Sequence, residues 1–517
     1  MKRFLFITLS LLIGTLGIFM LSACGDALEP VIENEGSAGG KYINIEISSQ
    51  LSRNLRGTST PPNGGEEGDG SELGFANEFT IDHVSVLLYK VPTNVTIPEG
   101  GLVNLSDEEA EKIKVYVFCW NTTRSVTNGG LNAEKVIYST GSHALPKEME
   151  LGNYKILVVA NKELTQLNGS SLNTVRKYIL HEVPFHNATT STGETIYNAP
   201  EKCSDFVMSS VKEQNIIIGY DPGHKGEGTE NNPFVTTDGN IEIERLAARI
   251  DFAQKKEVAP DGTVLCKWND TDKCYDYAVI DASTQQQVAT FKLLFVIPFN
   301  MTRQCYLFKH TTTGTDLSSC NYLGRETHKT STDATSDKRY ATNYVLDPLT
   351  LIKGNKDAFY GEFFTPEFYL PSLANATLDF VKQFRVKSPD EMQQDAETGR
   401  YFKALTYTAE NTLTVKAQQS TDPLITNYAP GIRFFGQYVK NGYTTQNSPY
   451  IALDWYLRHS APDGTADLTQ PMTYGVVRNN IYRVYISGIG KQNEQIQLKT
   501  RLFVVPWAAY RHDDIVM

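Results

Sequence analysis

Apolar and polar residues alternate through much of the chain, which is the pattern of half-buried β-strands. The segment 41–48, KYINIEIS, shows it most cleanly, because Ile43, Ile45 and Ile47 share one face and polar side chains share the other. Further alternating or apolar runs occupy residues 78–90, 114–120, 154–160, 290–298, 432–439, 450–457, 481–489 and 495–505. Many short strands separated by polar turns predict an all-β fold of the sandwich or barrel class.

Helical periodicity is confined to two short stretches. Residues 105–114 contain it, with Ser106 as the candidate N-cap, and residues 170–180 contain it again. We therefore expect only a few short helices, placed in insertions between strands.

The first 23 residues have the organisation of a secretory signal peptide. Lys2 and Arg3 precede an apolar stretch that ends in Leu-Ser-Ala-Cys at Cys24, which resembles a bacterial lipobox. An ordinary signal peptide or a signal anchor with an incidental cysteine is the alternative. No other apolar run approaches the roughly 18–20 residues of a spanning helix. We expect an exported chain in which residues 24–40 form a tether.

Charge and motifs narrow the function classes. The formal net charge of -11 disfavours a general nucleic-acid binder, because phosphate binding needs clustered positive charge. The sequence holds no GxSxG, HExxH or Walker A motif. Residues 269–276 offer oxygen ligands for Ca²⁺ but lack the glycine and terminal glutamate of an EF-hand, so we expect a solvated turn. We predict no catalytic residues, no metal site and no cofactor.

Six cysteines follow Cys24, and the sequence alone does not decide among their fifteen possible pairings. Cys266 with Cys274 and Cys305 with Cys320 are the plausible pairs, and buried free thiols are the alternative. No CxxC occurs, so a zinc ribbon or a thioredoxin-type site has no support.

A chain of 517 residues is long enough for several domains. The turn-rich stretch 220–239 is followed by strand-like residues 241–252, which places a boundary there. We predict an N-terminal domain over residues 41–245 and a C-terminal domain over residues 246–517.

Arg53 and Arg56 lie between the first strand and a long loop rich in glycine and proline. Trypsin-like proteases need a mobile extended segment with a basic residue, so this loop is a candidate processing site. A cut there would release the first strand with its three isoleucines, each contributing roughly 1.5–3 kcal/mol by burial. The remaining groove, with unpaired backbone groups, could accept a strand from another chain.

The segment 495–505 is a candidate donor for such a groove. One face of this segment is apolar, formed by Ile496, Leu498, Leu502 and Val504. The pattern is equally compatible with the last strand of its own domain.

The chain carries, in this order, the lipobox at Cys24, the first strand with its arginine loop, and the segments 81–88 (IDHVSVLL), 152–154 (GNY), 158–161 (VVAN), 244–252 (ERLAARIDF), 478–484 (RNNIYRV) and 504–507 (VVPW). Taken together, these features resemble the fimbrillin family, the subunits of type V pili in Bacteroidales. The long second half is most similar to the minor (short) fimbrium shaft subunit.

The resemblance implies two tandem transthyretin-like β-sandwich domains in a pilus subunit that serves adhesion. It implies a lipoprotein precursor, acylated with palmitate at Cys24 and anchored in the cell outer membrane, before it enters an extracellular fimbrium. It also implies cleavage by an Arg-specific protease at Arg53 or Arg56, followed by polymerisation through donor-strand exchange. The implied partners are shaft, tip and anchor subunits, the protease, and ligands on host or bacterial surfaces.

Three alternatives remain open from the sequence. The chain could be a tip or anchor subunit of such a pilus. It could be a surface lipoprotein that binds glycan or host protein and never polymerises. A β-sandwich hydrolase would need carboxylates that converge in a cleft.

Overall fold

The computed structural model describes residues 40–49, 72–96, 105–129, 133–197, 199–219, 226–254, 256–260, 262–311, 345–348, 368–370, 378–394, 401–413, 421–458 and 473–508. Cys24, Arg53 and Arg56 lie outside these ranges, so lipidation and processing stay predictions. The two-domain division of the chain also stays a prediction.

Strands dominate the first half of the described chain. They are β1 (Tyr42–Ile43), β2 (Glu46–Ser49), β3 (Glu72–Leu73), β4 (His83–Tyr89), β5 (Val115–Asn121), β6 (Thr123–Gly129), β7 (Ala133–Ser139), β8 (His143–Ala144), β9 (Gly152–Ala160), β10 (Ile179–Leu180), β11 (Ala188–Thr189), β12 (Thr195–Ile196), β13 (Met208–Ser210), β14 (Gln214–Ile218) and β15 (Ile241–Arg245). Nine of them form the first sheet, in the order β5-β4-β9-β13-β15-β2-β7-β6, with β14 paired to β9.

The second half contributes β16 (Ala248–Gln254), β17 (Glu257–Val258), β18 (Val264–Asn269), β19 (Cys274–Asp281), β20 (Gln287–Phe299), β21 (Met301–Thr302), β22 (Cys305–Tyr306), β23 (His310–Thr311), β24 (Val345–Leu346), β25 (Phe368–Leu370), β26 (Gln393–Gln394), β27 (Tyr401–Thr408), β28 (Gly431–Lys440), β29 (Tyr450–Tyr456), β30 (Asn480–Gln492) and β31 (Gln495–Ala508). The second sheet has twelve strands, with the main order β26-β27-β16-β30-β19-β20-β28-β29. Strands β18 and β31 extend it, and β17 and β3 pair with these two.

The described helices are short. They are α1 (Asp107–Glu111), α2 (Leu172–Arg176), α3 (Leu378–Gln383) and α4 (Pro423–Tyr428), with single 3₁₀ turns at Ala76–Glu78, Thr165–Leu167, Pro200–Lys202, Pro389–Glu391 and Thr445–Asn447. Ser106 caps α1, as predicted, because its hydroxyl accepts the Glu109 N–H, and Ser171 caps α2 in the same way. The all-β fold with sandwich-like sheets is therefore confirmed.

Alternation along the strands of the first sheet gives it an apolar core on each face. Val84, Val86 and Leu88 of β4 point into one core, whereas Leu87 and Tyr89 point into the other. A third large core lines the second sheet. Residues from the second half of the chain enter both cores of the first sheet, so the two sheets share packed side chains.

Cys266 and Cys274, one of the two plausible pairs, do not form a disulfide. In the antiparallel pair of β18 and β19, Cys266 lies opposite Tyr277 while Cys274 lies opposite Asn269, so the two thiols occupy different register positions. Both are free, and burial raises the pKa of each to about 12. Cys305 is also free and buried, and Cys320 lies outside the described residues. Cys266, Cys274 and Cys305 are therefore buried free thiols, the alternative to local disulfides.

Candidate functional site

The first strand lies inside the first sheet, not at its edge. Strand β2 pairs in parallel with β15, Ile47 opposite Ile241, and in antiparallel fashion with β7, Ile47 opposite Tyr138. It therefore joins the β6–β7 hairpin to the remainder of the sheet. Removing it would leave a gap between β15 and β7 with an unpaired backbone on both sides.

The three isoleucines predicted to form a buried face do so. The side chains of Ile43, Ile45 and Ile47 are 0% exposed and belong to one core of the first sheet. Their burial removes three branched side chains from water, the largest free-energy contribution this short segment can make. The site they fill is named here the first-strand site.

The segment is two strands instead of the single strand predicted. Between β1 and β2, the Ile45 N–H donates to the side-chain hydroxyl of Thr140 over 3.0 Å, and the Thr140 N–H donates to the Ile45 carbonyl over 3.0 Å. A side chain thus replaces one backbone acceptor, which interrupts the regular ladder. The Asn44 amide oxygen accepts the Ser139 hydroxyl over 2.9 Å, so the polar face of the segment is bound as well.

A loop from the predicted boundary region lies along β1. The Tyr42 N–H donates to the Gly228 carbonyl over 3.0 Å, and the Asn44 N–H donates to the Phe234 carbonyl over 2.9 Å. Gly228 has a φ of +71°, and a Cβ at this position would overlap the buried Phe234 ring. Glycine is required here for both reasons, since only glycine combines positive φ with so close an approach.

His143 closes the other side of β1. It lies opposite Ile43 in the β1–β8 pair, and its ring stacks on Trp120 with centroids 4.4 Å apart. Its Nε2 lies 2.9 Å from the Thr140 carbonyl. Burial lowers the pKa of His143, and the hydrogen bond to Thr140 acts in the opposite direction.

The candidate donor segment lies on the second sheet. Strand β31 forms a long antiparallel hairpin with β30, and residues Asn493 and Glu494 at its tip have φ values of 47° and 63°. Ile496, Leu498 and Leu502 are partly buried against the core of the second sheet, and Val504 is buried. The structure therefore places this segment as a strand of its own sheet and does not bring it to the first-strand site.

The end of β31 enters a buried cluster of charged and aromatic side chains between the two sheets. Trp507, 0% exposed, donates its indole N–H to the Glu78 carboxylate over 3.0 Å. Glu78 also accepts from Arg249 at 3.2 Å and from the hydroxyl of Tyr407. The Tyr407 and Trp507 rings stack with centroids 5.7 Å apart and planes 3° apart.

Arg245 binds backbone carbonyls from two segments of this cluster. Its guanidinium donates to the Glu78 carbonyl over 2.6 Å and to the Trp507 carbonyl over 3.3 Å. It also lies 4.6 Å above the Trp507 ring, within the range of a cation–π interaction. Arg245 comes from the end of β15, so the first sheet, the segment before β4 and the end of β31 meet at one point.

Three further buried ion pairs surround this point. The Arg249 guanidinium donates to Asp251 over 2.9 Å, and Asp251 also accepts from Arg483 at 3.1 Å. Arg478 pairs with Glu410 over 2.7 Å, with both side chains 0% exposed. Charges so buried are tolerated only when paired, so these residues fix one arrangement of the strands that carry them.

Burial shifts the pKa values of Glu78 and Arg245. Desolvation raises the pKa of Glu78, and the positive charge of Arg249 opposes this rise. Desolvation also lowers the pKa of Arg245 to about 10, while the Glu78 carboxylate opposes the change. Glu78, Arg245, Arg249, Tyr407 and Trp507 thus form a buried contact between the two sheets, and this cluster is named the joint.

The sequence pointed to this joint only in part. Segments 244–252, 478–484 and 504–507, noted for their resemblance to fimbrillins, all meet here, but their meeting could not be foreseen. Glu78 was missed entirely. The available signal was the presence of Arg245, Arg249 and Asp251 among the apolar residues of segment 245–252, which indicates buried charges that need partners.

Within the described ranges, no group of three or more His, Cys, Asp or Glu side chains could hold a metal ion. Residues 270–273 form the turn between β18 and β19, and Lys292 pairs with Asp272 in this turn at 2.7 Å and with Asp276 in β19 at 3.3 Å. No helix in the described part of the chain is both long and apolar enough to cross a membrane.

Solved structures similar to this chain include three fimbrial proteins. A fimbrillin, FimA, from Porphyromonas gingivalis is 14% identical with a TM-score of 0.39, and the match covers 92% of this chain and 99% of that one. The tip fimbrial protein Mfa3 of the same organism, with a C-terminal truncation, is 12% identical (TM-score 0.33; coverage 90% and 99%). A fimbrial assembly protein from Parabacteroides distasonis is 9% identical (TM-score 0.30; coverage 90% and 100%). The sequence matches no family model and no curated protein.

Proposed function

We propose that this protein is a structural pilus subunit, without catalytic activity, that polymerises by donor-strand exchange at the first-strand site and serves adhesion. In this proposal the precursor is an exported lipoprotein acylated at Cys24. An Arg-specific protease then cuts after Arg53 or Arg56, which frees the first strand.

One observation carries the proposal, namely the interior position of β1 and β2. The three buried isoleucines and the two-sided pairing of β2 mean that loss of this segment would open a strand-shaped apolar groove. Parallel pairing with β15 cannot arise from a hairpin turn, so the link between the first strand and its sheet is a crossover. In the sequence, that crossover begins with the loop that holds Arg53 and Arg56.

The segment 495–505 is the proposed donor. Its apolar side chains at Ile496, Leu498, Leu502 and Val504 recur every second residue except at Thr500, like those of the first strand. In the monomer, most of this face is only partly buried, so a fully enclosed groove on a neighbouring subunit offers it greater burial.

The test begins with purified precursor treated with an Arg-specific protease. Mass spectrometry should find a new N-terminus at Asn54 or Gly57, and negative-stain electron microscopy should show filaments. The matched control is the double variant Arg53→Lys/Arg56→Lys, which keeps both positive charges but resists the protease and should remain monomeric. The two single variants identify the arginine that is cut.

Two results would contradict the proposal. Filaments whose subunits retain an acylated Cys24 would exclude release of the first strand. Cleaved protein that stays monomeric would instead favour a surface lipoprotein that binds a glycan or a host protein.

A further inference from the structure

The end of β31 is held by residues that directly follow the arginine loop. Strand β3 pairs in parallel with β31, Glu72 opposite Trp507 and Leu73 opposite Ala508. The 3₁₀ turn Ala76–Glu78 then places the Glu78 carboxylate against the Trp507 indole nitrogen. Residues 72–78 are named here the clamp segment.

Glu78 is fixed by its own segment before it reaches Trp507. The Phe75 N–H donates to the Glu78 carboxylate over 2.6 Å, which closes the turn on itself. Gly74 leaves the space for this arrangement, because a Cβ there would overlap both the Glu78 carboxylate and the Trp507 indole nitrogen. The clamp segment is therefore shaped around the tryptophan.

The side chains of the remainder of β31 are less buried than those at its end. Its first residues are exposed or partly buried, and exposure falls toward Val504 and Trp507, which are 1% and 0% exposed. The tip at Asn493 and Glu494 connects β31 to β30 by only two residues. Release of the whole strand requires that its pairing with β30 is lost and that the bonds around Trp507 also break.

We propose that the clamp segment is an autoinhibitory latch that holds the proposed donor strand on its own subunit and sets how readily the strand is released. The inference rests on the proposed function for its biological meaning, since it concerns regulation of strand exchange. The latch itself is a property of the uncleaved monomer and can be measured there.

The test is hydrogen exchange of residues 495–508 in the full-length, uncleaved monomer. Gly74→Ala inserts a methyl group between Glu78 and Trp507, and we expect exchange in this segment to be about tenfold faster, the effect of about one lost buried hydrogen bond. The matched control is Gly488→Ala in β30, where the nearest atom to the added Cβ lies 3.9 Å away in the Lys499 side chain. It should exchange like the wild type.

Trp507→Phe provides a second variant that keeps a ring but lacks the indole N–H, and it should also accelerate exchange of the segment. If Gly74→Ala does not fold, the exchange rate of Trp507→Phe alone tests the latch. Wild-type exchange in every folded one of these variants would overturn the latch. Filament formation by the cleaved wild type is scored separately, so failure of the proposed function leaves the latch result readable.

Discussion

Ile47 lies opposite Ile241 in a parallel register, although long stretches of chain separate the two residues. Their strands are held together by cross-strand bonds and side-chain packing, with no turn between them. The first strand is thus held in its sheet by contacts with residues that are distant in sequence.

Ile45→Ala should destabilise the precursor by about 2–5 kcal/mol, because it leaves a cavity in a fully buried site. Ile45→Val, the smaller change, should cost about 0.5–1.5 kcal/mol. Urea unfolding of the precursor measures both. Filaments made from cleaved subunits should be equally stable for both variants and the wild type, and a persistent difference would mean that the strand stays in place.

Leu498→Asn should separate folding from assembly. Leu498 is only partly buried in the monomer, so the thermal unfolding temperature of the variant protein should differ little from that of the wild type. In a fully enclosed groove the same amide would lose its water, and filament growth, followed by light scattering, should be strongly reduced. Lys499→Gln on the exposed opposite face is the control. Normal growth of the Leu498→Asn protein would argue against residues 495–505 as the donor.

Removal of Arg249 should be far more damaging than removal of an exposed arginine. Arg249→Leu leaves the buried Glu78 carboxylate without its closest cation, with an expected cost of about 3–5 kcal/mol. Arg433 makes a two-bond pair with Asp454 at 2.5 and 2.6 Å, but both side chains are about one-third exposed. Arg433→Leu should therefore cost less than about 1 kcal/mol. Equal losses in denaturant unfolding would contradict the joint.

The first-strand site should weaken in acid because of His143. Burial lowers the pKa of this residue below its ordinary value of 6.5, so the folded protein favours the neutral ring. This contribution is present above pH 6.5 and is lost as the pH falls through the lowered folded pKa. Urea midpoints of precursor at pH 7.5 and pH 5 should therefore differ more in the wild type than in His143→Gln. An equal decrease in both proteins would exclude this histidine as the cause.

The sequence pattern predicted the local structure correctly where one residue type at one spacing decides that structure. The period of two at Ile43, Ile45 and Ile47 predicted a buried face, and Ser106 predicted a helix start. The break within the first strand was not predictable, because it depends on the hydroxyl of Thr140, a residue distant in sequence that directly follows β7.

The joint illustrates what a sequence pattern cannot supply. Glu78 precedes an apolar run and has the pattern of a surface residue, yet its partners Arg249, Tyr407 and Trp507 come from three remote segments. Only the strand order brings them together. Cys266 and Cys274 show the converse. They are close in sequence, but they lie at mismatched register positions of one hairpin, so no disulfide joins them.

The tip of the β30–β31 hairpin holds a residue in a backbone conformation that costs free energy. Glu494 has a φ of 63°, a left-handed conformation that costs a residue with a side chain about 1 kcal/mol or more. In the proposed strand exchange, β31 would leave β30 and Glu494 could return to an ordinary backbone conformation. The relief of this cost would offset part of the free energy needed to break the contacts of Trp507.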